Sequence, residues 1–138
     1  MKKLNVYFSF PGTCEEALNF YKGCFGGEII ALSRFGDSPM ETADAHKQRV
    51  MHAEFKSDDI YFMASDTMPD AGEASVAGNI VQLSINLTDG AEQEHIFNKL
   101  AEGGTVLMPL QETFWGAVFG MLTDKYGVRW MLNRELEG

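Results

Sequence analysis

The sequence predicts an α+β fold of two tandem βαβββ modules, whose strands form a cupped mixed β-sheet with the helices on its convex face. Three observations carry this. Runs with a period of two, the mark of strands, recur along the chain. Two other runs carry an apolar stripe at helical spacing. Each helical run ends at a glycine pair, Gly26-Gly27 and Gly103-Gly104, and the two pairs lie 103 − 26 = 77 residues apart. The same offset of 77 carries Asn5, Tyr7 and Ser9 onto Gln82, Ser84 and Asn86. Polar alternates map onto polar alternates, and internal repetition of this kind governs the choice of fold. The helical stripes match better at an offset of 79, so the repeat is one of element order rather than residue identity.

In chain order, Leu4, Val6, Phe8 and Phe10 alternate with Asn5, Tyr7 and Ser9, giving a first strand from Leu4 to Phe10. Pro11-Gly12 stops it. Thr13 with Glu16 three residues later is a capping-box signature, and Cys14, Ala17, Leu18, Tyr21 and Phe25 then share one helical stripe. Glu28 to Phe35 reads as a strand and the polar segment from Gly36 to Lys47 as a loop. From Gln48 to Lys56, Met51, Ala53 and Phe55 alternate against Val50, His52 and Glu54, and Ser57-Asp58-Asp59 turns this strand into Ile60 to Ser65. Asp66 to Asn79 lacks pattern. The chain is therefore read as a single domain, with repeats at roughly 1–66 and 79–138 joined by a linker at 67–78.

The second repeat opens with Ile80 to Leu87, where Val81, Leu83, Ile85 and Leu87 alternate with Gln82, Ser84 and Asn86. Asp89 with Glu92 renews the capping signal, and Ile96, Phe97, Leu100 and Ala101 give the helical stripe. Thr105 to Gln111 is a strand. Phe114 to Leu132 supplies the last two, which turn at Asp124-Lys125-Tyr126-Gly127 and carry both tryptophans, Trp115 and Trp130.

Composition narrows the function classes. A chain of 138 residues is long enough for one buried core, and 45% hydrophobic with 22% charged residues is globular rather than disordered composition. Eleven Lys plus Arg against 20 Asp plus Glu leave a net charge of −9. That surface repels a phosphate backbone, so no nucleic-acid partner is expected. The apolar run behind Lys2 and Lys3 ends at Pro11-Gly12 with no cleavage-site pattern, and no run approaches the roughly 18 apolar residues of a membrane helix. A cytoplasmic protein that binds no membrane is expected. Cys14 and Cys24 are separated by about 1000° of helical rotation at roughly 100° per residue, so they point apart and are read as reduced, half-buried thiols.

One helix covers only one face of a four-stranded sheet, so the other face carries the mixed alternates and is the natural place for a pocket. On this logic the concavity is lined by Asn5, Tyr7 and Ser9; His52 and Glu54; Tyr61, Met63 and Ser65; Gln82, Ser84 and Asn86; and Arg129, Met131 and Asn133. Trp115, between Phe114 and Gly116, adds an aromatic plate for a flat ligand or a partner, whereas Trp130 alternates with Met131 and is assigned to the core. His52 beside Glu54 is the one weak catalytic candidate, a base oriented by a carboxylate. His46 and His95 are read as solvated surface.

The doubled βαβββ order, the segment EEALNFYKGCFGGEI, VMHAEF in the third strand, and FWG followed by FGMLTDKYG and RWML resemble the vicinal-oxygen-chelate superfamily of glyoxalases, ring-cleaving dioxygenases and bleomycin-resistance proteins. Within it the chain is most similar to the PhnB-like group. Some members of that group carry a demethylubiquinone-methyltransferase name, but no strand here is followed by a glycine-rich turn of the nucleotide-binding type. The resemblance implies a glyoxalase-like fold, a homodimer and a small-molecule ligand. It also implies a divalent metal held at positions that match Asn5, Met63, Gln82 and Met131. Two thioethers and two neutral amides are poor ligands for such an ion. The expectation is therefore a binding protein with no cofactor and no metal site, taking a small, partly aromatic or apolar molecule. The alternative is a metal-dependent lyase, isomerase or dioxygenase that recruits its ion through His52 and Glu54. The resemblance also matches Asp66 to an aspartate of the group; read from the residues, Asp66 is equally a turn residue bonding its own backbone. Ala117 and Val118 stand where polar residues are common after FWG, and Val128 stands where histidine is common, which weakens any catalytic role carried over to this hairpin.

Overall fold

The computed structural model describes residues 1–39, 41–69 and 76–137. Residues 70–75 of the expected linker 67–78, and Met40 in the loop 36–47, lie outside the described residues. The chain divides into two compact units, Met1–Val76 and Ala77–Gly138.

The first unit runs β1 (Val6–Phe10), α1 (Cys14–Phe25), β2 (Glu28–Arg34), β3 (Val50–Ser57) and β4 (Ile60–Asp66). Its four strands lie in the order β1-β4-β3-β2, with β1 parallel to β4 and the other neighbours antiparallel. The second unit runs β5 (Leu83–Asn86), α2 (Gly90–Ala101), β6 (Thr105–Glu112), β7 (Ala117–Thr123) and β8 (Arg129–Glu135). The order β5-β8-β7-β6 repeats the first, again with one parallel pair, β5 and β8. Two βαβββ modules are thus present, each with its own mixed sheet and one helix.

Each helix covers one face of its sheet because its apolar stripe has nowhere else to go. In the first unit Cys14, Ala17, Leu18, Tyr21 and Cys24 of α1 are buried with Ala53, Phe55, Phe62 and Ala64. Phe62 anchors the aromatic part, with ring centroids 4.8 Å from Phe8, 5.0 Å from Phe55 and 5.6 Å from Tyr21. In the second unit Ile96, Phe97 and Leu100 are buried with Leu122, Trp130 and Leu132. Gly120 makes room for Phe97, whose ring would stand 2.7 Å from a Cβ at that position. Trp130 is 2% exposed and in the core as expected.

The glycine pairs explain the repeat physically. Gly26 ends α1 at φ +75, its N–H bonding Lys22 O at 2.9 Å, and Gly103 follows α2 at φ +74. The second member of each pair passes under the end of a neighbouring strand. A Cβ on Gly27 would lie 2.3 Å from Lys56 O, and one on Gly104 2.2 Å from Thr123 O. Real side chains never approach a carbonyl so closely, so both positions demand glycine.

Several expectations need correction. The first strand begins at Val6 rather than Leu4, leaving Leu4 94% exposed, and β5 begins at Leu83, leaving Ile80 and Val81 exposed ahead of it. Alternation continued into these flanks, but no strand neighbours them in the ladder. Val50, expected on the face of His52 and Glu54, is 1% exposed. The ladder pairs Ser33 with His52 but Arg34 with Val50, so Met51 is an extra residue in a bulge that turns Val50 inward. Cys14 and Cys24 are not disulfide-bonded, and they are fully rather than half buried. The loop 36–47 holds two short 3-10 turns, Phe35–Asp37 and Asp44–His46.

Capping differs between the helices. The Asp89 side chain accepts a hydrogen bond from Glu92 N at 2.8 Å, as the sequence predicts. The Thr13 side chain makes no cap bond. Instead Asp66, from the end of β4, accepts from Cys14 N at the start of α1 and from Val50 N at the start of β3, both at 2.8 Å. Asp66 therefore bonds two distant segments, not its own turn. Asp124 acts comparably in the second unit, accepting from Tyr126 N, Val128 N and Trp130 Nε1.

Candidate functional site

Strand alternation sends the side chains opposite the helix to the open face of each sheet. In the first unit the register places Tyr7 beside Met63, Met63 beside Glu54, and Glu54 beside Ala31, one row across all four strands. Ser9 pairs with Ser65 in the next row, and His52 with Ser33. Four of these groups interact. The Tyr61 hydroxyl donates to Glu54 Oε1, His52 Nε2 lies 3.9 Å from Glu54 Oε2, and the Tyr7 and His52 rings are 6.0 Å apart. The bond to Glu54 raises the Tyr61 phenol above its ordinary pKa, ahead of smaller effects of burial and of the Glu54 charge. The side chains of His52 and Glu54 are 40% and 31% exposed, open to a ligand yet partly sheltered.

In the second unit Ser84 pairs with Met131, Met131 with Met121 and Met121 with Met108. The next row runs Asn86, Asn133, Phe119 and Gln111, with Asn133 Nδ2 donating to Asn86 Oδ1 at 3.4 Å. Trp115 stands just before β7, 56% exposed, edge-on to Phe119 at 6.1 Å and to Phe114 at 5.0 Å. Near the end of β5 and β8 lies an open depression of about 680 Å³ whose lining includes Asn86, Thr88 and Glu137.

The expected pocket residues fall into two groups. Tyr7, Ser9, His52, Glu54 and Met63 share the open face of the first sheet, and Ser84, Asn86 and Met131 that of the second. Asn5 and Gln82 lie just outside their strands, ahead of Val6 and Leu83. Sequence reasoning passed over Met108, Phe119 and Met121. The alternation of Phe119, Met121 and Thr123 was legible, but their place beside Met131 needed the cross-strand register.

The residues matching the superfamily's metal positions do not suit the ion. Met63 and Met131 present thioethers, and Asn5 and Gln82 present amides. Among the described residues no three His, Cys, Asp or Glu side chains gather into a metal-binding group. His52 and Glu54 alone supply two donors, fewer than the three protein ligands of a catalytic zinc site. Cys14 is no nucleophile either: burial above all, then the Asp66 and Glu15 charges, pushes its thiol up to about 12.

Residues 2–133 match the family described as 3-demethylubiquinone-9 3-methyltransferase. Protein YjdN of Escherichia coli (strain K12) is 34% identical over 140 residues, covering 94% of this chain and 93% of that protein. The crystal structure of protein PA1353 from Pseudomonas aeruginosa superposes with a TM-score of 0.82 at 43% identity, over 98% of this chain and 100% of that one. A putative 3-demethylubiquinone-9 3-methyltransferase, PhnB protein, from Bacillus cereus gives 0.78 at 32%, over 96% and 99%. A glyoxalase-related enzyme from Fulvimarina pelagi, at 17% identity, TM-score 0.64 and 98% and 89% coverage, shares the fold. Among the described residues no helix is long and apolar enough to cross a membrane.

Proposed function

The chain belongs to the family described as 3-demethylubiquinone-9 3-methyltransferase, in the PhnB-like group of the vicinal-oxygen-chelate superfamily, and from that premise we propose that it binds a small, partly aromatic or apolar molecule without a catalytic metal. One observation carries this reading: where the superfamily's metal ligands are expected, this chain presents thioethers and amides, while the sheet faces around them keep the mixed character of a ligand surface. Methionine supplies a soft, adaptable contact to apolar groups, and Tyr7, Phe119 and Trp115 supply rings for stacking. The few polar groups beside them, His52, Glu54, Ser84 and Asn86, orient rather than dominate.

A cytoplasmic homodimer fits this reading. Buried cysteines without a disulfide suit a reducing compartment, and Phe114, 98% exposed, together with Trp115 offers an aromatic edge to a partner or ligand. The test is a thermal-shift and NMR screen with small aromatic and apolar compounds. Binding raises the melting temperature in proportion to the logarithm of ligand concentration and moves resonances of Tyr7 and Met63, or of Ser84 and Met131. A screen in which nothing binds, while a protein partner co-purifies, would overturn it in favour of an interaction module.

A further inference from the structure

Glu54 lies on the open face of the first sheet in one row with Met63 and Tyr7. Its Oε1 is held by the Tyr61 hydroxyl. Its Oε2 lies 3.9 Å from His52 Nε2, too long for a hydrogen bond. No lysine or arginine among the described residues forms an ion pair with it. Lys56, two residues along β3 and opposite Tyr61 in the ladder, makes none. A carboxylate so placed has an unspent acceptor oxygen. Beside it the Tyr7 and His52 rings stand 6.0 Å apart, and Met63 lies directly between Tyr7 and Glu54 in the row.

We propose that the Tyr7–His52–Glu54–Tyr61 cluster binds an organic ammonium ion, a protonated amine carried on an aromatic or apolar body. The inference rests on the binding reading above and names the chemical class of ligand. The ammonium donates to Glu54 Oε2, and Met63, between Glu54 and Tyr7 in the row, receives the apolar body with the Tyr7 ring beyond it. The net charge of −9 draws a cation toward the protein from a distance. An anionic ligand meets the opposite field and the Glu54 charge. A neutral ligand loses the charge-assisted bond, which is the stronger kind.

The test is an NMR titration of the full chain with phenethylammonium, phenethyl alcohol and phenylacetate, three probes sharing a ring and differing in charge. The amine should perturb Tyr7, His52, Glu54 and Tyr61 and bind about tenfold more tightly than the alcohol, with phenylacetate weaker still and the amine's advantage shrinking as salt is added. Glu54→Gln should abolish the preference, and Glu54→Asp, which keeps the charge, should retain it. Equal binding of amine and alcohol at this cluster, or an amine preference that survives Glu54→Gln, would overturn the ammonium assignment while leaving the binding reading intact. Failure of all three probes, together with silence in the wider compound screen, would remove both.

Discussion

Asp66→Asn is the most informative perturbation of the fold. The Asp66 carboxylate, 5% exposed, joins the first turn of α1 to the first residue of β3 by two N–H···O bonds of 2.8 Å. Asparagine keeps one acceptor and sets an amide N–H against the other donor. One charge-assisted bond, worth about 1.5–3 kcal/mol, is lost and a buried N–H is left unpaired, so a destabilisation of about 2–4 kcal/mol follows. At 1.36 kcal/mol per tenfold change, hydrogen exchange at the Cys14 and Val50 amides should quicken roughly 30- to 1,000-fold. Amides of α2, which Asp66 does not touch, serve as the control. Unchanged protection at Cys14 and Val50, with urea unfolding shifted by less than about 0.5 kcal/mol, would refute the role given to this carboxylate.

Other expectations follow from the same geometry. Asp89→Ala should cost about 1 kcal/mol by removing the bond to Glu92 N, whereas Thr13→Ala should change urea stability little, because that side chain caps nothing. Gly27→Ala and Gly104→Ala should each destabilise by more than about 2 kcal/mol or prevent folding, while Gly23→Ala, inside α1 with nothing within 4 Å of the added methyl, should stabilise by about 0.5–1 kcal/mol. Cys14 should resist alkylation in the native state at pH 8 and react once the chain is unfolded in urea. Its folded pKa of about 12 lies above the ordinary thiol value of 9.0. The neutral thiol is thus favoured by folding, and its contribution to stability is fully present below pH 9 and is lost as pH rises toward 12.

Much of the fold was legible because the signals were local. Gly26-Gly27 and Gly103-Gly104 mark both helix ends and the repeat at once, and the alternation about Ala53 and Phe55 marks a half-buried strand. What escaped depended on long-range partners. Alternation through Leu4 and Val81 looked like strand, yet a strand ends where its neighbour's ladder ends. Thr13 and Glu16 had the right spacing for a cap, but Asp66, 52 residues from Cys14, takes that place through tertiary contact. The Met51 bulge is invisible in β3 alone, because it exists only against β2. The face of His52, Glu54 and Met63 was readable from period two, but the hydrogen bond that ties Tyr61 to Glu54 needed the β3–β4 register.

At the positions that match the superfamily's metal ligands stand Asn5 and Met63 in one unit and Gln82 and Met131 in the other, and we propose that the chain binds its ligand without a catalytic metal. This proposal is tested most directly by elemental analysis of the native protein, purified without chelator or added metal. The account predicts only substoichiometric zinc, nickel, iron and manganese. A full equivalent of any one of them per chain, retained through purification and lost on His52→Ala or Glu54→Gln, would contradict it.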